Sequence, residues 1–72
     1  MDTFKFEKSS NIDFVEYDRD AKVLIIKFKA GGKYSYVDVP SDVYEAFIHA
    51  ESAGRFFFNS IRGRYQYSRI PN

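Results

Sequence analysis

The sequence predicts an α+β fold: an antiparallel meander of three to four strands with two helices packed on one face, in the order β-β-β-α-α-β. Three observations predict it. Residues 12–39 alternate apolar and polar positions, with turn residues between the runs. Residues 41–62 switch to helical spacing, and residues 65–70 return to alternation. These two periods, about 2 and 3.6 residues, are those of strand faces and helix faces.

Residues 1–8 read as an arm ahead of a single domain at 9–72. In the arm Phe4 and Phe6 alternate with Lys5 and Glu7, so it is either loose or an edge strand, including one added to another copy of the chain. "IDFVEY", from Ile12 to Tyr17, is a half-buried strand with a bulge expected where Phe14 and Val15 adjoin. "DRDA" is turn chemistry. In "KVLIIKFK", Leu24, Ile26 and Phe28 share one face while Val23, Ile25 and Lys27 share the other, which suits a central strand. Gly31 and Gly32 supply the positive φ of a hairpin, and "KYSYVDV" alternates Tyr34 and Tyr36 against Lys33, Ser35 and Val37.

Pro40 stops that strand, and Ser41 or Asp42 is expected to cap a helix running to about Ala50. Its apolar stripe is Val43, Tyr44, Phe47, Ile48 and Ala50. Ser52 caps a second helix to about Arg62, with Gly54 in its first turn, Phe57 and Ile61 inward, and Gly63 just past its end. "RYQYSRI" then sets Tyr65, Tyr67 and Arg69 against Gln66, Ser68 and Ile70, a last strand or docked tail.

Seventy-two residues lie near the lower limit for a self-supporting core. Eight Phe and six Tyr offset this, because large rings bury much area per residue. The absence of cysteine excludes disulfides, thiolate nucleophiles and zinc–cysteine sites, and suits the cytoplasm. "MDTFKFEKSS" has no long apolar run, so neither a secretory signal nor a membrane span is expected there.

The net charge of +1 is uninformative, but its distribution is not. Residues 1–51 carry seven bases, six of them Lys, against ten acids; residues 52–72 carry Arg55, Arg62, Arg64 and Arg69 against none. Arginine grips phosphate and carboxylate bidentately and stacks on rings, so the C-terminal end reads as anion-facing. The plainer alternative is a dipole whose halves neutralise each other, since the pI of about 8.0 is below that of a strongly basic nucleic-acid binder.

"NIDFVEYD", "GGKYSYVDVP", "VYEAFIHAESAGRFF" and "IRGRYQYSRI" together resemble the KTSC domain over about residues 9–70. Tyr34 and Tyr36 match its Tyr-x-Tyr, set among Val15, Tyr17, Gly32, Val39-Pro40, Val43-Tyr44, Ser52, Gly54, Ile61-Arg62 and Tyr65. One departure stands out: an Asn expected four residues after Gly54 is Phe58 here, with Asn59 next. The family occurs at the C-terminus of some lysyl-tRNA synthetases and as small bacterial and phage proteins. The family carries no established activity, and its association with the synthetases implies an RNA-binding role.

Chemistry-bearing constellations are few. His49, the only histidine, sits near Glu45 and Glu51 without a converging ligand set, so no metal or cofactor is expected. No serine stands in a nucleophile elbow, and Gly31-Gly32-Lys33 lacks phosphate-loop spacing. An enzyme is not expected. Tyr34 and Tyr36 share a strand face and are either stacking platforms or core. Tyr65 and Tyr67 repeat that spacing beside the arginines. Arg55 would reinforce a helix N-terminus, Arg62 and Arg64 straddle the other end, and Arg64 could instead pair with acids of the first helix. Arg69 is placed to meet a ring next to Tyr67 across the sheet.

The first expectation is therefore a non-enzymatic module contacting RNA or single-stranded nucleic acid, with Arg55, Arg62, Arg64 and Arg69 on phosphates and Tyr65 and Tyr67 stacking. The alternatives are a phage-type module binding a bacterial host protein, and a homo-oligomer holding a nucleotide-like anion between subunits. No membrane partner is expected.

Overall fold

Five strands and a helical layer follow from those periods. In the computed structural model, which describes residues 1–71, the strands are β1 (Asp2–Lys5), β2 (Ile12–Asp18), β3 (Val23–Phe28), β4 (Lys33–Tyr36) and β5 (Tyr67–Ile70). The last residue of the 9–72 domain lies outside the described residues. Helix α1 spans Ser41–Ile48 and α2 Ala53–Phe56, and a π-helical turn, Phe57–Ile61, extends α2. All strands are antiparallel, and their order across the sheet is their order in the chain. The α+β class is as the sequence predicts. The fifth strand is the arm: β1 pairs with β2 from Asp2 opposite Tyr17 to Lys5 opposite Phe14.

Alternation assigns the faces. Val15 and Tyr17, Leu24 and Ile26, and Tyr36 point toward the helices and join Tyr44, Phe47, Ala53 and Ile61 in one buried core. The register shift in β2 falls between Ile12 and Phe14, one residue before the expected place. It lets Ile12 and Val15, three apart, both reach the core. Burial is deepest at the centre, where Val15, Tyr17, Leu24, Ile26 and Phe47 have no exposed surface. The opposite face holds Phe14, Glu16, Val23, Ile25, Lys27 and Lys33, with no helix over it.

The helix starts follow different rules. Pro40 itself is the residue before α1 and neither Ser41 nor Asp42 caps it; Asp42 Oδ1 accepts only from the neighbouring Val43 amide. The Pro40 carbonyl accepts from the Val43 and Tyr44 amides at 3.1 and 3.3 Å, which closes the first turn without a side-chain cap. Ser52 does cap α2, its Oγ accepting from the Arg55 amide at 3.3 Å. The second helix is not α-helical throughout: beyond Phe56 its bonds widen, and the Arg62 amide reaches the Phe57 carbonyl at 2.8 Å. Gly63, at φ +79, turns the chain away from it.

Two contacts fasten the ends of the sheet to the helices. Tyr17 stacks on Tyr44 at 4.6 Å and donates its hydroxyl to the Val39 carbonyl, holding the segment that leads into α1. Arg19 lies over both rings and bridges Asp2 of β1 and Glu45 of α1, at 2.6 Å each. Among the described residues no helix is long and apolar enough to cross a membrane.

Gly54 has ordinary helical geometry, and a Cβ there would meet Asn11 Nδ2 at 3.1 Å. Because Asn11 is exposed, its side chain can swing aside. Gly54→Ala is therefore expected to stabilise slightly, by less than the ~1 kcal/mol of helix propensity. Thermal unfolding checks this; a loss of stability would mean that the Asn11–Gly54 contact is rigid.

Candidate functional site

The C-terminal strand brings the tyrosines and some of the arginines together. In the β4–β5 register Tyr34 faces Arg69 and Tyr36 faces Tyr67, so all four side chains lie on the helix-covered side of the sheet. The helices do not reach far enough to cover all of them. Tyr36 is 4% exposed, Tyr34 half-buried and Tyr67 61% exposed, a gradient from core to solvent within two strands. Tyr36 and Tyr34 lie 5.5 and 5.9 Å from the Tyr67 ring. Phe57 meets Tyr36 edge-on at 5.8 Å from the helical side, and Phe28 meets both Phe57 and Tyr34 edge-on. These contacts fix Tyr34 and Tyr36 from behind, so Tyr67 is backed by rigid rings.

Charge borders this surface. The Arg69 guanidinium lies 6.0 Å from the Tyr34 ring, across the sheet from Tyr67 as its place in the strand suggests. Gly32 permits this packing, because a Cβ there would come within 3.2 Å of Tyr34 Cε1 and 3.7 Å of Arg69 Nη2. Arg62 lies 4.9 Å over the ring of Phe58, itself 60% exposed. Burial raises the pKa of Tyr36, with Tyr67 and Tyr34 adding to the rise and the charge of Arg62 opposing it.

The remaining candidates lie elsewhere. Arg55 borders a groove of about 520 Å³ between the arm and the start of α2, together with Lys5 and Lys8. Arg64 does not pair with acids of α1; its Nε donates to the Asn59 carbonyl at 3.3 Å, closing its own turn. Tyr65 precedes β5 and is half-buried against the core, not presented beside Tyr67. His49 is exposed, with Nδ1 2.8 Å from the Glu45 carbonyl. Among the described residues no three His, Asp or Glu side chains group as metal ligands would.

Sequence reasoning missed Phe28 and Phe58 as parts of this surface. The available signal was "FFF": three successive helical positions fan out by about 100° each, so all three rings cannot face one core. Phe56 stacks on Phe47, Phe57 packs on Phe28 and Tyr36, and Phe58 is left outside. The assembled surface can stack flat rings and attract anions at its margins.

Comparison with known proteins places this arrangement. The KTSC domain family model matches residues 8–71. An uncharacterised protein of Stutzerimonas stutzeri is 34% identical over 64 residues, which are 88% of this chain and 90% of that one. The lysine–tRNA ligase of Trichormus variabilis is 30% identical over 63 residues, 88% of this chain but only 11% of the ligase. The crystal structure of a KTSC domain protein from Yersinia pestis superposes with a TM-score of 0.91 at 34% identity, covering 97% of both chains.

Proposed function

Because this chain belongs to the KTSC domain family, we propose that it is a small, non-enzymatic cytoplasmic module that binds RNA or another single-stranded nucleic acid through the tyrosine–arginine surface of β4 and β5. The observation that carries this reading is the exposed Tyr67 ring, backed by Tyr34 and Tyr36, with Arg69 at the Tyr34 ring. A solvated ring on a rigid aromatic base is a stacking platform, and bases stack on such platforms with little regard to sequence. An arginine beside the platform suits the phosphates that join successive bases. The lysine–tRNA ligase match agrees with an RNA setting, but it covers only 11% of that enzyme, so the ligase's activity does not carry over.

Fluorescence anisotropy with a short labelled single-stranded RNA tests the proposal. Affinity should fall with salt, and Arg62→Ala with Arg69→Ala should flatten the log–log slope by roughly 0.7 for each phosphate no longer neutralised. Tyr67→Ala should weaken binding by about 1–3 kcal/mol without changing that slope. Wild-type affinity in both variants would end the proposal.

A second reading, a module that binds a host protein or a second copy of itself, rests on the uncovered sheet face. There Phe14, Val23, Ile25 and Ile70 are only half-buried. Recovery of one stoichiometric protein partner from nuclease-treated extract would favour it.

A further inference from the structure

Next to the tyrosine–arginine surface the chain leaves a hollow of about 400 Å³, lined by Ile12, Phe28, Phe57 and Phe58 with Asn11 and the hairpin at Gly31. Its volume falls within the roughly 300–1,000 Å³ of small-molecule sites. The hollow is continuous with the tyrosines: Tyr67, Tyr34 and Phe28 follow one another at 5.9 and 5.6 Å, and Phe28 is its wall. On the hairpin side nothing lies within 4 Å of where a Gly31 Cβ would be, so that rim is open. On the helical side Phe58 stands exposed, with Arg62 over its ring.

We propose that this hollow is a slot for a second nucleobase, so that one strand lies with a base on Tyr67 and another against Phe58. This rests on the nucleic-acid reading above and adds to it the place and chemistry of a further contact. The occupant follows from how the lining is distributed. No acid or base lines the hollow, and three of its walls are aromatic rings, which suits a neutral flat heterocycle. The cations stand at the margins instead, Arg62 at Phe58 and Arg69 at Tyr34. A ring-lined neutral hollow with cations outside it, Arg62 at Phe58 and Arg69 beyond the Phe28 wall, is a charge pattern complementary to a nucleotide chain, whose bases are neutral and whose phosphates are not. An aliphatic ligand would make no use of that pattern. The exposed carboxamide of Asn11 offers both donors and an acceptor to a base edge.

The test compares a short single-stranded RNA with the same RNA carrying abasic sugars, by anisotropy at several salt concentrations. Phe58→Ala should lose about five- to a hundredfold in affinity for the intact RNA, the range for one stacked base. It should change little with the abasic RNA, leave the salt slope intact, and be rescued by Phe58→Tyr. Because Phe58 is exposed, thermal unfolding of the variant should match the wild type, separating a missing stacking ring from a damaged fold. On adding the intact RNA, the backbone amide signals of Ala30 and Gly31 should shift. Full affinity in Phe58→Ala alongside a loss in Tyr67→Ala would overturn the slot and leave the tyrosine surface standing. No binding of either RNA by the wild type would overturn both. A fall in the sedimentation mass of the free protein on Phe58→Ala would assign the hollow to self-contact and overturn the slot.

Discussion

Replacing Phe47 by alanine is expected to cost the fold a large part of its stability. Phe47 has no exposed surface and joins three elements, packing on Phe6 beyond β1 at 5.3 Å and stacking on Phe56 of α2 at 5.5 Å. Truncating a buried phenylalanine costs about 3–5 kcal/mol, the forfeited transfer energy plus the cavity. At roughly 0.05–0.15 kcal/mol per residue, a domain of this size has about 4–11 kcal/mol in total. The substitution therefore removes roughly a quarter or more of the stability, and the melting temperature should fall by about 12 °C or more. Urea titration followed by circular dichroism gives the value directly. A cost under about 1 kcal/mol would mean that the three elements do not meet at Phe47 as described, since such a value is ordinary for surface positions.

Stability should also collapse steeply in alkali. Tyr17, Tyr36 and Tyr44 are buried, and burial raises the pKa of each above the ordinary 10.0. A buried phenolate is disfavoured, so the folded chain keeps these protons where the unfolded chain gives them up. The stabilisation is fully present below pH about 10, and is lost as pH rises through the folded values. Each tyrosine steepens the fall by at most ~1.4 kcal/mol per pH unit, and the three act in the same direction. Following phenolate absorbance and circular dichroism together, the two should change in one transition for these three groups. Titration of Tyr17, Tyr36 and Tyr44 near pH 10 with the fold intact would contradict their burial.

Much of the architecture was legible because it depends on alternation and turn chemistry. Leu24, Ile26 and Phe28 share one parity in β3 and Tyr34 and Tyr36 share one in β4, and the positive φ of Gly31 and Gly32 suits a tight reversal between the two strands. The arm was ambiguous because four residues of β1 acquire meaning only once β2 is there to pair with them. The π turn was not legible, since widening one turn by a residue leaves the composition of a helix unchanged. The site was readable in part for the same reasons. Parity alone placed Tyr34 with Tyr36 and Tyr67 with Arg69, but strand register decides which pairs face each other, and Arg69 meets Tyr34. Charge along the chain grouped four arginines; folding sends Arg55 to the groove beside the arm.

The coincidence of strand order with chain order has a kinetic side. The first three pairings, β1–β2 to β3–β4, close short loops, whereas β4–β5 must wait until residues 37–66 have folded back. Loop-closure entropy grows only logarithmically, so the longer connection costs little in stability, but β5 is expected to dock after β2, β3 and β4 have paired and to open more readily than they do. As a four-residue edge strand exposed along most of its length, it has little to hold it once its ladder breaks. Amide hydrogens of β5 thus belong to a smaller cooperative unit than those of β3. Tyr67 and Arg69 ride on that unit, so the exposed ring and its neighbouring cation come and go together.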